Sequence, residues 1–122
     1  QKIEFQSVLP WTTGKAKKID EGVLISHNWD QIRRLMWNYV GIVRTEKRLT
    51  LVRDRLAYIL AEVDRHYRDY LLTPDLVELR NIAQVAELIV RCAINRKESR
   101  GLHFLVDFPK PDDSNWKKDT II

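Results

Sequence analysis

Hydrophobic residues recur at helical spacing through three stretches of the chain and lose that rhythm at both ends. Ile32, Leu35, Met36, Tyr39, Val40 and Val43 fall on one face of a first helix, with Arg33, Arg34 and Asn38 on the other. Asn28, followed three residues later by Gln31, predicts where this helix starts, because Asn can cap the free amides in a capping-box arrangement. Gly41 interrupts the pattern, so Gly41-Ile42-Val43-Arg44 is expected to end or kink the helix. Thr45 and Glu46 begin a second helix. There Leu49, Val52, Leu56, Ile59, Val63 and Tyr70 repeat in steps of three and four with one larger gap, opposite a charged side that includes Asp64 and Arg68. Thr73-Pro74 opens a third, with Thr as cap and Pro where its missing donor costs nothing. Gly101 is expected to close that helix in a left-handed turn after the basic residues Arg96, Lys97 and Arg100.

The third helix carries too little polar surface for a surface helix of a small bundle. Arg80, Gln84, Glu87, Arg91 and Asn95 are spaced four, three, four and four apart and form one narrow ridge. Nearly everything else on it is apolar or small, so it is expected to be covered from two sides. Within 122 residues there is little material to do the covering.

The ends read differently. Residues 1–27 hold Pro10, Gly14, Gly22, a basic cluster at Lys15, Lys17 and Lys18, and short apolar patches (Ile3-Glu4-Phe5, Val8-Leu9-Pro10-Trp11 and Val23-Leu24-Ile25) with no helical period spanning them. Leu102–Phe108 is expected to form one short strand that Pro109 and Pro111 stop. The predicted fold is all-α. A three-helix bundle over 28–101 is preceded by a connecting arm over 1–27 and followed by an extended C-terminal tail over 102–122. Trp11 and Trp116, in the two ends, are read as anchors into a partner surface.

Composition narrows the class. A 14.5 kDa chain with 44% hydrophobic and 31% charged residues is one ordinary globular domain. No apolar run approaches the ~20 residues that cross a bilayer, so no membrane role is expected. The start at Gln1, without Met or a signal-like segment, is read as an internal position of a longer protein. Cys92 is the single cysteine, so no intrachain disulfide framework exists, and it reads as a small buried hydrophobe of a cytoplasmic protein. The net charge of +4 invites a nucleic-acid reading, but 21 basic residues are interleaved with 17 acidic ones rather than clustered.

Catalytic constellations are scarce. His27, His66 and His103 have no metal-site spacing, and the glycines are too scattered to cradle a phosphate, so no catalytic, cofactor-binding or metal residue is assigned. Arg96 and Arg100 are spaced to grip a carboxylate of another domain or of a ligand, and equally to stabilise a helix C-terminus through its dipole. His103, beside these arginines, is disfavoured for protonation and reads as an exposed or hydrogen-bonded structural residue. Asp112 and Asp113, in a polar tail, read as solvated.

Several phrases carry a family resemblance. His27-Asn28-Trp29-Asp30, Met36 through Arg44, Glu78-Leu79-Arg80-Asn81, Gln84 through Ala93 and Arg96-Lys97-Glu98-Ser99-Arg100-Gly101-Leu102-His103 are similar, in order, to the C-terminal helical domain of L-aspartate oxidases. These belong to the succinate dehydrogenase/fumarate reductase flavoprotein superfamily. The dehydrogenase branch has alanine at the place of Leu102 and arginine at the place of Leu105; both departures favour aspartate oxidase. The tail Asp112-Asp113-Ser114-Asn115-Trp116 resembles the dehydrogenase branch, which stands as the alternative. The resemblance implies a parent enzyme with FAD in an N-terminal domain and a capping domain over the substrate. It oxidises L-aspartate to iminoaspartate on the route to quinolinate and NAD, with oxygen or fumarate as acceptor. The family's catalytic residues lie in those two domains, so the fragment is expected to be inert, to bind no FAD and to serve as a docking domain. Arg96, Glu98, Arg100, His103 and Trp116 are the candidate interdomain contacts. Self-association of the isolated chain stays open, and a free-standing helical nucleic-acid or protein-binding module is the reading of another class.

Overall fold

A computed structural model describes residues 7–18 and 22–122. Three long helices dominate it: α1 (Gly22–Tyr39), α2 (Glu46–Asp69) and α3 (Pro74–Asn95). They form an all-α three-helix bundle. Thr45 caps α2 by accepting from the Arg48 amide, and Thr73 caps α3 by accepting from the Leu76 amide, with Pro74 at the first helical position. The core joins Ile32 and Leu35 of α1, Leu49, Val52, Leu56, Ile59 and Val63 of α2, and Leu76, Leu79 and Val90 of α3. Ala83, Ala86 and Ala93 let α3 approach its neighbours closely, since small side chains shorten the distance between helix axes.

The first helix starts earlier than its pattern suggested. Asn28 is not a cap; it is 2% exposed, within α1 and on the core side, in step with buried Ile25, Ile32 and Leu35. Val23-Leu24-Ile25 therefore continue the helix, and the expected arm boundary at residue 27 falls inside it. Ile3-Glu4-Phe5 lies outside the described residues. What remains of the arm leans on α2. The Lys17 amide donates to the Asp69 carbonyl at 2.9 Å and the Leu71 amide to the Lys17 carbonyl at 2.7 Å. Trp11 meets Tyr67 edge-on at 5.8 Å, and the Arg80 guanidinium lies 4.7 Å over the same ring.

The third helix also ends sooner than predicted. It stops at Asn95 with Arg96 as C-cap, and Gly101 takes its left-handed φ of 59° in a separate turn. Beyond that turn the expected strand is only two residues long, β2 (Phe104–Leu105), paired in parallel with β1 (Val43–Arg44) in the register Val43↔Phe104, Arg44↔Leu105. Val43 was expected on the apolar face of the first helix; Gly41 ends that helix and Val43 turns outward instead. The alternation of a strand sends Leu105 into the core and Phe104 and Val106 outward. The tail folds back as a short helix, α4 (Asp113–Trp116).

Candidate interdomain site

On α3 the helical wheel resolves into three strips. Leu76, Leu79, Ala83, Ala86, Val90 and Ala93 face the bundle. The polar ridge Arg80, Gln84, Glu87, Arg91 and Asn95 forms the second. The third is apolar and uncovered: Val85 is 54%, Leu88 45% and Ile89 41% exposed, with Cys92 half-buried on the same strip. Spacings of three, four and seven align these four on one line. So the chain covers one apolar flank of the helix and leaves the other bare. Ile82, Ala86 and Ile89 also wall a groove against α1, whose opposite side is Met36, Trp37, Val40 and Gly41. Trp37, at its lip, is 86% exposed.

Past α3, the chain doubles around a buried carboxylate. Glu98 has no exposed surface, so its charge requires close partners. Arg100 forks onto both its oxygens, Nε–Oε1 at 2.9 Å and Nη2–Oε2 at 3.0 Å. Arg96 Nη2 lies 2.8 Å from Oε1, and the Asp112 amide donates to Oε2 at 2.8 Å. The Arg100 fork, foremost, holds the Glu98 carboxyl down at about 2 against an ordinary 4.5. The same bond, with Asp113 at 2.5 Å, raises Arg100 above its usual range. Arg96 extends the cluster into the tail, donating to the carbonyls of Trp116 (2.5 Å) and Lys118 (3.0 Å) and to Thr120 Oγ1 (2.9 Å).

His103 ties this cluster to the α1–α2 connection. Its Nδ1 lies 2.9 Å from Arg44 Nη1 and its Nε2 3.1 Å from the Arg96 carbonyl. A guanidinium can only donate, so Nδ1 accepts and Nε2 carries the proton. Burial, then the charges of Arg44 and Arg96, lowers its pKa, although the bond to the Arg96 carbonyl works the other way. Between Arg100 and His103 the chain makes a tight turn, closed by Arg100 N–H to His103 O at 2.9 Å and His103 N–H to Arg100 O at 3.1 Å. Leu102, at its tip, is 79% exposed. Buried Ser99 fastens the following segment, accepting from the Leu105 amide at 2.9 Å and donating to the Phe108 carbonyl at 2.7 Å.

Arg96, Glu98, Arg100, His103 and Trp116 are thus brought together, chiefly by contacts within the domain. The carboxylate that Arg96 and Arg100 grip is Glu98, and Glu98 itself has no surface left to offer another domain. Trp116 is half-buried in α4 rather than in an extended tail. Asp112 caps α4 through the Asn115 amide at 3.1 Å, and Asp113 pairs with Arg100; neither is merely solvated. Sequence reasoning missed Arg44, Lys97, which pairs with Glu46, and Asp107, which accepts from the Glu46 amide at 2.8 Å. Nothing local to them marks partners so distant in the chain. On the helix surfaces Arg34, Arg68 and Arg91 pair with acids one turn away. Among the described residues no His, Cys, Asp and Glu cluster can hold a metal, and no helix is long and apolar enough to cross a membrane.

Over residues 29–122 the chain matches the fumarate reductase flavoprotein C-terminal family, and it belongs to that family. It is 51% identical over 117 residues to the L-aspartate oxidase of Pseudomonas aeruginosa, covering 96% of this chain and 21% of that protein. The L-aspartate oxidase of Acinetobacter baylyi is 47% identical over 114 residues, 90% of this chain and 21% of its own. A chloroplastic L-aspartate oxidase 2-a of Nicotiana tabacum is 38% identical over 84 residues, 65% of this chain and 13% of its own. The chain spans about a fifth of the length of its bacterial relatives.

Proposed function

We propose that this chain is the C-terminal helical domain of an L-aspartate oxidase and serves as a docking domain with no catalytic group of its own. The observation that carries the reading is the bare strip of Val85, Leu88, Ile89 and Cys92 on a helix whose other apolar flank is buried. Such contiguous apolar surface marks an interaction site, and an interdomain contact of ordinary size has room for it. Arg100, His103 and Trp116 are each partly exposed and stand as further contact residues, with the flavin-binding and capping domains of the parent as partners.

The parent would bind FAD and pass a hydride from the α-carbon of L-aspartate to it, giving iminoaspartate, with oxygen or fumarate reoxidising the flavin, in a cytoplasmic route to quinolinate and NAD. The residues described here do not fit FAD. Gly14, Gly22, Gly41 and Gly101 are scattered, and neither two-residue strand runs into a glycine-rich helix start. On this reading the cofactor site belongs to the rest of the parent.

Flavin bleaching in the whole enzyme tests the assignment. L-Aspartate is expected to reduce the flavin and succinate to leave it oxidised; the reverse would move the chain to the dehydrogenase branch. Flavin binding by this chain alone, or peroxide formed from aspartate by it, would falsify the inert docking role.

A further inference from the structure

The Arg100–His103 turn is built more rigidly than an exposed loop requires. One foot is clamped by the Arg100 fork on Glu98 and by Asp113, the other by His103 between Arg44 and the Arg96 carbonyl. Gly101 supplies the left-handed φ of 59° that aims the tip outward. The tip is apolar Leu102, and the outward side chains Val43 and Phe104 of the two strands are exposed as well. An apolar group held in place before contact loses little conformational entropy on docking, the property of a binding anchor.

Arg44 adds a charge. Its Nε donates to the Gly41 carbonyl at 2.8 Å and its Nη1 to His103 at 2.9 Å, both neutral acceptors. Among the described residues no carboxylate lies within ion-pair distance of it, whereas Arg96, Lys97 and Arg100 around it each have one. Burial alone lowers its pKa, as expected of a half-buried cation without a counter-ion. Gly41, whose carbonyl it holds, also lines the groove beside Ile89, so Arg44 links the turn to the edge of that groove.

We infer that this turn is the plug of the docking face: Leu102 enters an apolar pocket on the flavin-binding part of the same parent chain, and Arg44 meets a carboxylate at that pocket's rim. The inference rests on the docking reading above. The occupant follows from length, since this chain is 21% of its relatives and matches a family that is the C-terminal portion of a flavoprotein, leaving the rest of the parent as the neighbour.

Hydrogen exchange read by mass spectrometry on the whole, flavin-loaded enzyme tests it, with α3 peptides around Leu79 and Val90 reporting that the bundle stays folded. Leu102→Asp is expected to speed exchange in peptides spanning 100–106 about tenfold while the α3 core peptides are unchanged. Raising sodium chloride from about 0.05 to about 1 M should speed exchange there in the parent enzyme and have no effect in Arg44→Gln. If Leu88→Asp opens the face and Leu102→Asp does not, the docking reading stands and the plug is wrong. If neither opens it, both are wrong. Salt-independent exchange in the parent overturns the Arg44 carboxylate.

Discussion

Leu105→Ala probes whether the two-residue strand β2 is truly part of the core. Leu105 is fully buried, while Val106, one residue on, is half exposed. Truncating Leu105 removes three carbon groups at about 0.8 kcal/mol each, or ~2.4 kcal/mol of transfer free energy. A residual cavity of about 60 Å³ at ~24 cal/mol per Å³ adds ~1.4 kcal/mol if the walls hold, so the loss is about 2.4–3.8 kcal/mol. For a chain of this size that lowers the melting temperature by roughly 7–19 °C. Val106→Ala, on the outward side, is expected to cost below about 1 kcal/mol. Urea unfolding followed by circular dichroism measures both, with an unchanged denaturant slope showing that the unfolded state is unaffected. A Leu105→Ala cost below about 1 kcal/mol, or an equal cost at Val106, would mean the strand is shifted by one residue and the Arg44↔Leu105 register is wrong.

Glu98 is held at about 2, below its ordinary 4.5, so its contribution to stability is present above pH 4.5 and is lost as pH falls through about 2. Glu98→Gln should be less stable near neutrality and should approach the parent chain in melting scans taken down that window; a gap independent of pH would refute the paired carboxylate. His103 has a pKa lowered from 6.5, so below pH 6.5 the unfolded chain takes up a proton that the folded chain resists, and stability falls. His103→Gln should flatten the melting temperature below pH 6.5, and an unchanged slope there would show that this histidine is not the cause. Thr73→Ala removes the acceptor of the Leu76 amide and should cost about 1 kcal/mol, with Thr73→Asp restoring it. Equal unfolding midpoints for Thr73→Ala and the parent chain would count against the cap.

The second and third helices were legible because their information is local. Thr45, Thr73 and Pro74 mark starts, and the apolar period of α2 from Leu49 to Val63 matches the residues that are buried, whereas Tyr70, also placed on that face, lies just past the helix end and is half-buried. Asn28 misled because its residue type suits a cap, while its position in the period, in step with Ile25 and Ile32, suits the core. Val43 misled for the opposite reason: it continues a helical face on paper, but the helix has already ended at Tyr39. At the site, the family motif was visible and its wiring was not. Arg96 and Arg100 looked ready for a distant carboxylate, and the one they hold lies between them in sequence. The bare strip on α3 was foreseen as an excess of apolar residues. That Leu102 stands out beyond it depends on a turn whose clamps come from residue 44 and residue 113.

The Asp107 carboxylate that receives the Glu46 amide spans 61 residues of chain. The contacts that build the domain therefore divide into local and long-range ones. The α2–α3 hairpin closes through a four-residue connection, Tyr70–Thr73, and can form while the chain is still being made. The β1–β2 pairing, the Arg44–His103 bridge and the second acceptor at the start of α2 must all wait for residues 103–107 and for the entropy of closing a long loop. The segment after α3 thus clasps a pair of helices whose own pairing is local, and the face around Leu102 exists only where that clasp is closed.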